Sequence, residues 1–197
     1  DGSPTGNFGA ANNLTVKDGA SGLDRVTYLK FNVAGLSNVT SAKLTLTPMQ
    51  VDGSVPLLYE QWSNDNWTET GITWNNQPPG TGTTITNISS YALWTPVVLD
   101  VAGAVKSQAT NDGLLTIRIT EPGANAVRID FCSRENSTGS YRPVLEYANP
   151  ANTAPVLTSI ANQTIGAGTT FNLTNVATDG DVPAQMLTFS LLAAPTN

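Results

Sequence analysis

Apolar and polar residues alternate with a repeat of two through most of the first 147 residues. Residues 25–33 (RVTYLKFNV) show it best: Leu29, Phe31 and Val33 share one face with Arg25 and Thr27, and Val26, Tyr28, Lys30 and Asn32 take the other. A repeat of two belongs to a strand, where successive side chains point to opposite faces. The same alternation predicts strands over 14–17, 41–48, 55–62, 97–101, 114–120, 126–132 and 142–147, with Ala42, Leu44 and Leu46 turned inward. Residues 72–74 (ITW) read as a short strand, 80–86 (GTGTTIT) as a flexible connection, and the stretch ending near Ala109 as a short helical turn. Turn formers separate these runs, among them Asp52-Gly53, Asn111-Asp112-Gly113 and Glu121-Pro122-Gly123. About nine short strands, punctuated roughly every ten residues and without a long amphipathic helix, predict a β-sandwich.

Residues 64–79 (NDNWTETGITWNNQPP) interrupt the alternation and hold Trp67 and Trp74, two of the four tryptophans. Large indoles among turn formers have two uses. They anchor a loop in the core, or they form a flat platform for a sugar ring. The strands on either side favour the anchoring role, and on that reading Trp74→Ala costs roughly 3–5 kcal/mol.

Composition narrows the function. Only 12% of the 197 residues are charged and the net charge is −6. Such a surface repels phosphate backbones and anionic lipid, so nucleic acid is not an expected partner. No apolar run approaches the ~20 residues of a membrane span, and no leader pattern precedes the first strand, so Asp1 is expected to follow a processed or trimmed segment. The sequence contains no histidine. That removes Ser-His-Asp and Cys-His nucleophile pairs and the commonest zinc ligand. Cys132, the single cysteine, lies in the apolar run 129–132 and reads as a buried, inert thiol. Glycosidase chemistry needs two facing carboxylates, for which Asp52, Glu60, Asp65 and Glu69 are the candidates; loop carboxylates of an acidic chain more often serve structure.

The order of these runs resembles the DNRLRE-type modules, a group of secreted β-sandwich modules overlapping a carbohydrate-binding family found beside polysaccharide lyases. RVTYLKFNV, SAKLTLTP, DNWTETGITWNNQPP, VVLDVAGAV, LLTIRIT, FCSRE and YRPVLEY follow one another as in that group. The most specific part is Trp67, Glu69, Ile72, Thr73, Trp74 and Pro78; Ser133-Arg134-Glu135 with Arg142-Pro143 is next. The resemblance covers residues 1–148 and implies a jelly-roll-like sandwich that is non-catalytic and, in some members, binds polysaccharide. Trp67, Glu69, Trp74, Arg134, Glu135 and Arg142 are its structural motif, with Glu69 able to pair with Arg134 or Arg142. Trp62 departs from the pattern, standing where an aliphatic residue is more usual.

For glycan binding, Trp62, Trp94, Tyr91 and Tyr141 supply aromatic faces, with Arg128, Arg134 and Lys106 for an acidic sugar. Calcium needs six to eight oxygens, and Asp18 and Asp24 in one loop, with Asp179 and Asp181 in another, are candidates. Asn-x-Ser/Thr sequons stand at Asn13, Asn38, Asn66, Asn87, Asn136, Asn162 and Asn172.

Residues 149–155 read as a linker, and 156–197 have another texture, without Trp, Lys or Arg. The run from Ala154-Pro155 through Asp179-Gly180-Asp181 to Leu187-Thr188-Phe189-Ser190-Leu191 resembles the first half of a cadherin-like or Ig-like repeat. Four or five short strands are expected there. So short a segment without disulfide or metal seldom folds alone, so completion by further chain or by a neighbour's strand is expected. The sequence therefore supports a secreted or cell-surface carbohydrate-binding and adhesion module. The alternative is a subunit of an extracellular filament, sheath or stalk that self-associates through the incomplete second module.

Overall fold

The computed structural model describes residues 2–19, 23–181 and 186–190. The chain divides into two compact units, Asp1–Asn149 and Pro150–Asn197.

In the first unit the alternating runs become antiparallel strands. β1 (Asn13–Val16), β2 (Thr27–Asn32), β3 (Ser41–Leu46), β4 (Pro48–Val51), β5 (Leu57–Trp62), β6 (Gly82–Ile88) and β7 (Val97–Asp100) precede the helix α1 (Ala102–Ala109). β8 (Leu114–Thr120), β9 (Ile129–Cys132) and β10 (Val144–Ala148) follow it. One sheet has the order β2-β8-β5-β6, and the facing layer is built from β1-β9-β4 and β10-β3-β7. The last two ladders run into each other: β3 and β4 are separated only by Thr47, whose carbonyl accepts the Cys132 N–H at 2.9 Å. The unit is thus an all-β sandwich, as the alternation predicts.

The inward-facing residues of both layers close one core. Ala42, Leu44 and Leu46 from β3, Leu57 and Tyr59 from β5, Leu115, Ile117 and Ile119 from β8, and Ile129 and Phe131 from β9 are all fully buried. Val105 of α1 joins them, so the helix closes one end of the sandwich. Tyr59 brings a polar group into this core. Its hydroxyl lies 3.2 Å from that of Tyr91, which in turn donates to the Ile88 carbonyl at 2.6 Å. Burial pushes the Tyr91 phenol up to about 12 and raises Tyr59 further, so both stay neutral and bonded.

Three local expectations change. Residues 80–86 are not a loose connection; most of them form β6, because the β5 backbone offers a complete antiparallel ladder to a glycine- and threonine-rich segment. Residues 72–74 form no strand; Trp74 starts a single 3-10 turn (Trp74–Asn76) with a reciprocal Thr73/Asn76 capping box. β4 was not expected, and it pairs with β9 across a register shift between Pro48 and Gln50.

In the second unit the described residues contain two short strands, β11 (Val156–Leu157) and β12 (Ala177–Thr178), paired antiparallel. The Asp181 carboxylate accepts the Thr153 N–H at 2.9 Å and its hydroxyl at 2.6 Å. Part of the expected cadherin-like stretch, residues 182–185 and 191–197, lies outside the described residues.

Phe131, on β9 between β1 and β4, is fully buried and meets Tyr91 edge-on at 5.9 Å. Phe131→Ala should therefore cost about 3–5 kcal/mol, measured as a lowered midpoint in chemical denaturation; an unchanged midpoint would show that the core can close around the missing ring.

Candidate functional site

The site is built on the outward face of the sheet β2-β8-β5-β6. Its register aligns Tyr28 with Arg118 and Glu60, and Lys30 with Thr116 and Trp62, in two rows across three strands. Alternation puts these residues opposite the core, yet Thr116 is fully buried. What covers it is the loop 64–79. The Trp67 indole N–H donates to the Thr116 hydroxyl at 3.0 Å, and the ring stands 5.9 Å from that of Tyr28. Lys30 Nζ lies 4.6 Å from the Trp67 ring centroid and donates to the carbonyls of Asp65 and Trp67. The Tyr28 hydroxyl donates to Gln77 Oε1 at 3.2 Å.

The N-terminal segment clasps this loop from its other side. Asn7 Nδ2 donates to the carbonyls of Glu69 and Ile72, each at 2.7 Å, and the Asn75 N–H donates to the Pro4 carbonyl at 3.0 Å. Gly9 lies so close to the Glu69 backbone that a Cβ there would meet its carbonyl oxygen at 2.2 Å; only glycine permits this approach. Arg134 Nη2 reaches Glu69 at 2.5 Å, and Arg134 Nε reaches Glu135 at 2.7 Å. The Arg142 Nε–H donates to the Asn136 carbonyl at 2.8 Å.

Between these two segments, β1 and the start of β2, a cleft of about 570 Å³ opens. Its apolar wall is Phe8, Tyr28, Trp67 and Trp74; Lys17, Arg25 and Arg128 supply positive charge. A second hollow of about 290 Å³ shares Lys17, Asp24, Arg25 and Trp74 and continues toward Arg118 and Glu121. Trp74 therefore stands at the junction of the two, half-buried, and its indole N–H has no partner among the described residues. This corrects its assignment as a core anchor: truncation here removes a cleft wall, at roughly 1–2 kcal/mol for the area involved.

The charges differ in how far they are neutralised. Arg128 makes a forked pair with Asp130 at 2.8 and 2.5 Å. Arg118 pairs with the nearly buried Glu60 at 3.0 Å. Lys17 and Arg25 have no carboxylate partner among the described residues; Arg25 Nη1 donates to the Asp24 carbonyl at 2.7 Å.

The aromatic candidates from the sequence separate into three environments. Trp62 is overlain by the Arg118 guanidinium at 4.6 Å, meets Tyr28 edge-on at 6.5 Å, and donates its N–H to the Pro78 carbonyl at 3.0 Å. It supports the loop rather than presenting a free face. Tyr91 is 8% exposed and belongs to the core, so it leaves the binding set. Trp94 and Tyr141 come together elsewhere, at the end of the facing layer where β7 and β10 begin, with ring centroids 5.1 Å apart. Lys106 is exposed on α1. Phe8, Lys17, Arg25 and Tyr28 were not singled out by the sequence; for Tyr28 the signal was its place on the polar face of β2.

The carboxylates of Asp24, Asp179 and Asp181 are engaged within the fold, and Asp18 is held through its backbone. Asp24 accepts the Gly19 N–H at 3.0 Å, the Asp18 N–H donates to Glu121, and Asp181 is held by Thr153. Asp179 accepts the Asp181 N–H at 2.9 Å. Among the described residues no three Asp, Glu, His or Cys side chains converge as a metal set would. Of the sequon asparagines, Asn136 is buried and accepts the Thr138 N–H, which closes it to modification in the folded protein. Asn13 spends its amide on Thr15 and Asp130. Asn66, Asn87, Asn162 and Asn172 are exposed, and Asn38 is partly so.

Asp65 records the cost of covering the sheet. Its Oδ1 is buried without a partner, and burial raises its pKa above the ordinary aspartate value, partly offset by hydrogen bonding at Thr116. A raised carboxyl favours the folded state when protonated, so this contribution is lost as pH rises from the unfolded value through the folded one. Asp65→Asn should therefore raise the melting temperature at pH 7, with the gain shrinking toward pH 3; a gain independent of pH would refute the assignment.

The comparisons with known proteins agree with this architecture. A search of curated proteins finds no match. Residues 1–148 match the family model of carbohydrate-binding module family 96, the same span that the first unit occupies. Three quarters of the chain thus falls within one family of non-catalytic binding domains, and the protein belongs to carbohydrate-binding module family 96.

Proposed function

We propose that the first unit binds an acidic polysaccharide in the cleft beside Trp74. The observation that carries the reading is an aromatic wall flanked by two cations, Lys17 and Arg25, that form no ion pair among the described residues although Asp24 and Glu69 also line the cleft, in a chain whose net charge is −6. A sugar ring offers C–H groups on one face, which suit Trp74 and Phe8, and a uronate carboxylate suits an ammonium and a guanidinium. The larger protein carrying this module acts outside the cell, secreted or at a surface, where such glycans are met, and the module holds it to them.

A second reading concerns the other unit. Phe171, Leu173, Val176 and Phe189 are exposed there, more apolar surface than a solvated domain usually leaves open. This favours self-association, in the manner of an adhesive or filament-forming repeat. Gel filtration of the full chain over a hundredfold concentration range is expected to show a mass increase that Phe171→Asp reduces; a constant monomer would sink it.

Affinity electrophoresis tests the first reading. Migration should be retarded in gels containing polygalacturonate, and the retardation should fall steeply with added salt. Lys17→Ala/Arg25→Ala should weaken it about tenfold or more with the melting temperature nearly unchanged, as should Trp74→Ala with a modest loss of stability. Equal retardation of wild type and the double variant would overturn the cleft as the site.

A further inference from the structure

We infer that Trp94 and Tyr141 form a second sugar-binding platform, away from the cleft at the Leu46 end of β3 and suited to a neutral glycan. The inference shares with the cleft reading only the premise that this module binds carbohydrate.

The first observation is backbone strain without a reward in burial. Trp94 has φ +60°, a left-handed conformation that a bulky L-residue rarely adopts. The fold enforces it: the Trp94 N–H donates to the Pro48 carbonyl at 2.8 Å and the Thr95 N–H to the Ala92 carbonyl at 3.1 Å. The side chain so placed is 44% exposed, and its indole N–H has no partner among the described residues. Strain kept at a position that contributes little to the core marks a functional constraint.

The second observation is the ring beneath it. Tyr141 ends the 3-10 turn (Gly139–Tyr141) leading into β10, and Trp94 lies just before β7. Both strands are antiparallel to β3 and start at its Leu46 end, which brings two distant segments to one place. The rings stack at 5.1 Å with 32° between their planes. The pair fixes the indole as a preformed surface, and preformed aromatic surfaces suit the C–H face of a pyranose.

The third observation is what adjoins the pair. The register Val144–Thr45–Val98 lays two exposed valines, 42% and 54% accessible, across the outer face. The next row outward is Glu146–Lys43–Asp100. With the exposed Arg142 beside Tyr141, two cations meet two carboxylates, so the surroundings carry no net charge. An apolar strip edged with hydroxyl, ammonium and carboxylate groups can hold a ring face and bond its hydroxyls. It gives no preference to a uronate. The cleft and the platform therefore differ in the charge of the sugar they select, and one module can join an acidic chain to a neutral one.

The test uses the full chain in gels containing hydroxyethylcellulose, galactomannan or arabinoxylan, beside polygalacturonate. Trp94→Asn is the informative variant, because asparagine tolerates the left-handed backbone and keeps the fold. It should lose retardation on at least one neutral polymer, by fivefold or more, and keep its retardation on polygalacturonate. In ¹⁵N spectra of the wild type, that neutral polymer should shift the Trp94 indole signal and leave those of Trp62 and Trp67 in place, since their N–H groups are bonded inside the fold. Lys17→Ala/Arg25→Ala should show the reverse pattern on the gels. The inference is overturned if the wild type passes all neutral gels unretarded, if Trp94→Asn is retarded like wild type, or if Trp94→Asn changes only the oligomeric state, which would make the platform a protein contact. Failure of the cleft reading appears separately, as unchanged polygalacturonate retardation in the Lys17/Arg25 variant.

Discussion

The Lys30 ammonium sits under an irregular loop, bonded to two of its carbonyls and facing the Trp67 ring. A sheet face that alternation leaves polar would ordinarily be solvated. Here sixteen residues without regular ladders lie on it, and their backbone groups need partners when water is excluded. Lys30 supplies them from the sheet, where Thr116 and Tyr28 hold the loop's Trp67 and Gln77 side chains, and Asn7 and Pro4 supply them from the N-terminal segment. Nothing repetitive holds the loop; a few specific side chains do, and each works only because the strands are in one register. The unpartnered Asp65 oxygen shows that the covering is not complete.

That arrangement decides where chemistry is available. Clamped on both sides, the loop presents Trp74 and Ile72 to the cleft beside Trp67, whose N–H is spent on Thr116, while Trp62 is consumed as a support. The charges divide the same way. Glu60 with Arg118, Asp130 with Arg128 and Glu69 with Arg134 are spent on the fold. Lys17 and Arg25 line both hollows and make no ion pair among the described residues. Paired ions rigidify a site, whereas unpaired cations beside an aromatic wall can recognise something.

Much of the sandwich was readable in the sequence. The runs around Leu44, Leu115 and Leu29 alternate strongly enough to fix both their strand character and their inward face, and the observed core uses those residues. The helical turn before Ala109 was also visible as a break in period. The misses have physical causes. β6 has little apolar alternation because it is an edge strand whose order comes from the β5 backbone, a contact its own residues do not encode. Trp74 and Tyr91 were exchanged in role: a tryptophan among turn formers went to the cleft wall, and a tyrosine in a polar stretch went to the core, where the Tyr59 hydroxyl and the Ile88 carbonyl satisfy its oxygen. Phe8, Lys17 and Arg25 stand in segments that look unremarkable until β1, β2 and the loop are brought together.

The family motif occupied a middle ground: a Glu69–Arg134 pair was one of the two pairings expected, whereas the hold of Asn7 and Gly9 on the same loop was not visible in the sequence. Local periodicity is a property of neighbouring residues, so the chain alone determined the strands, their inward faces and the all-β class. Which aromatic ring is spent on packing and which is left facing water depends on the register between strands far apart in sequence. Only the tertiary structure decided that, because burial and charge neutralisation are set by the partner that arrives from elsewhere in the chain.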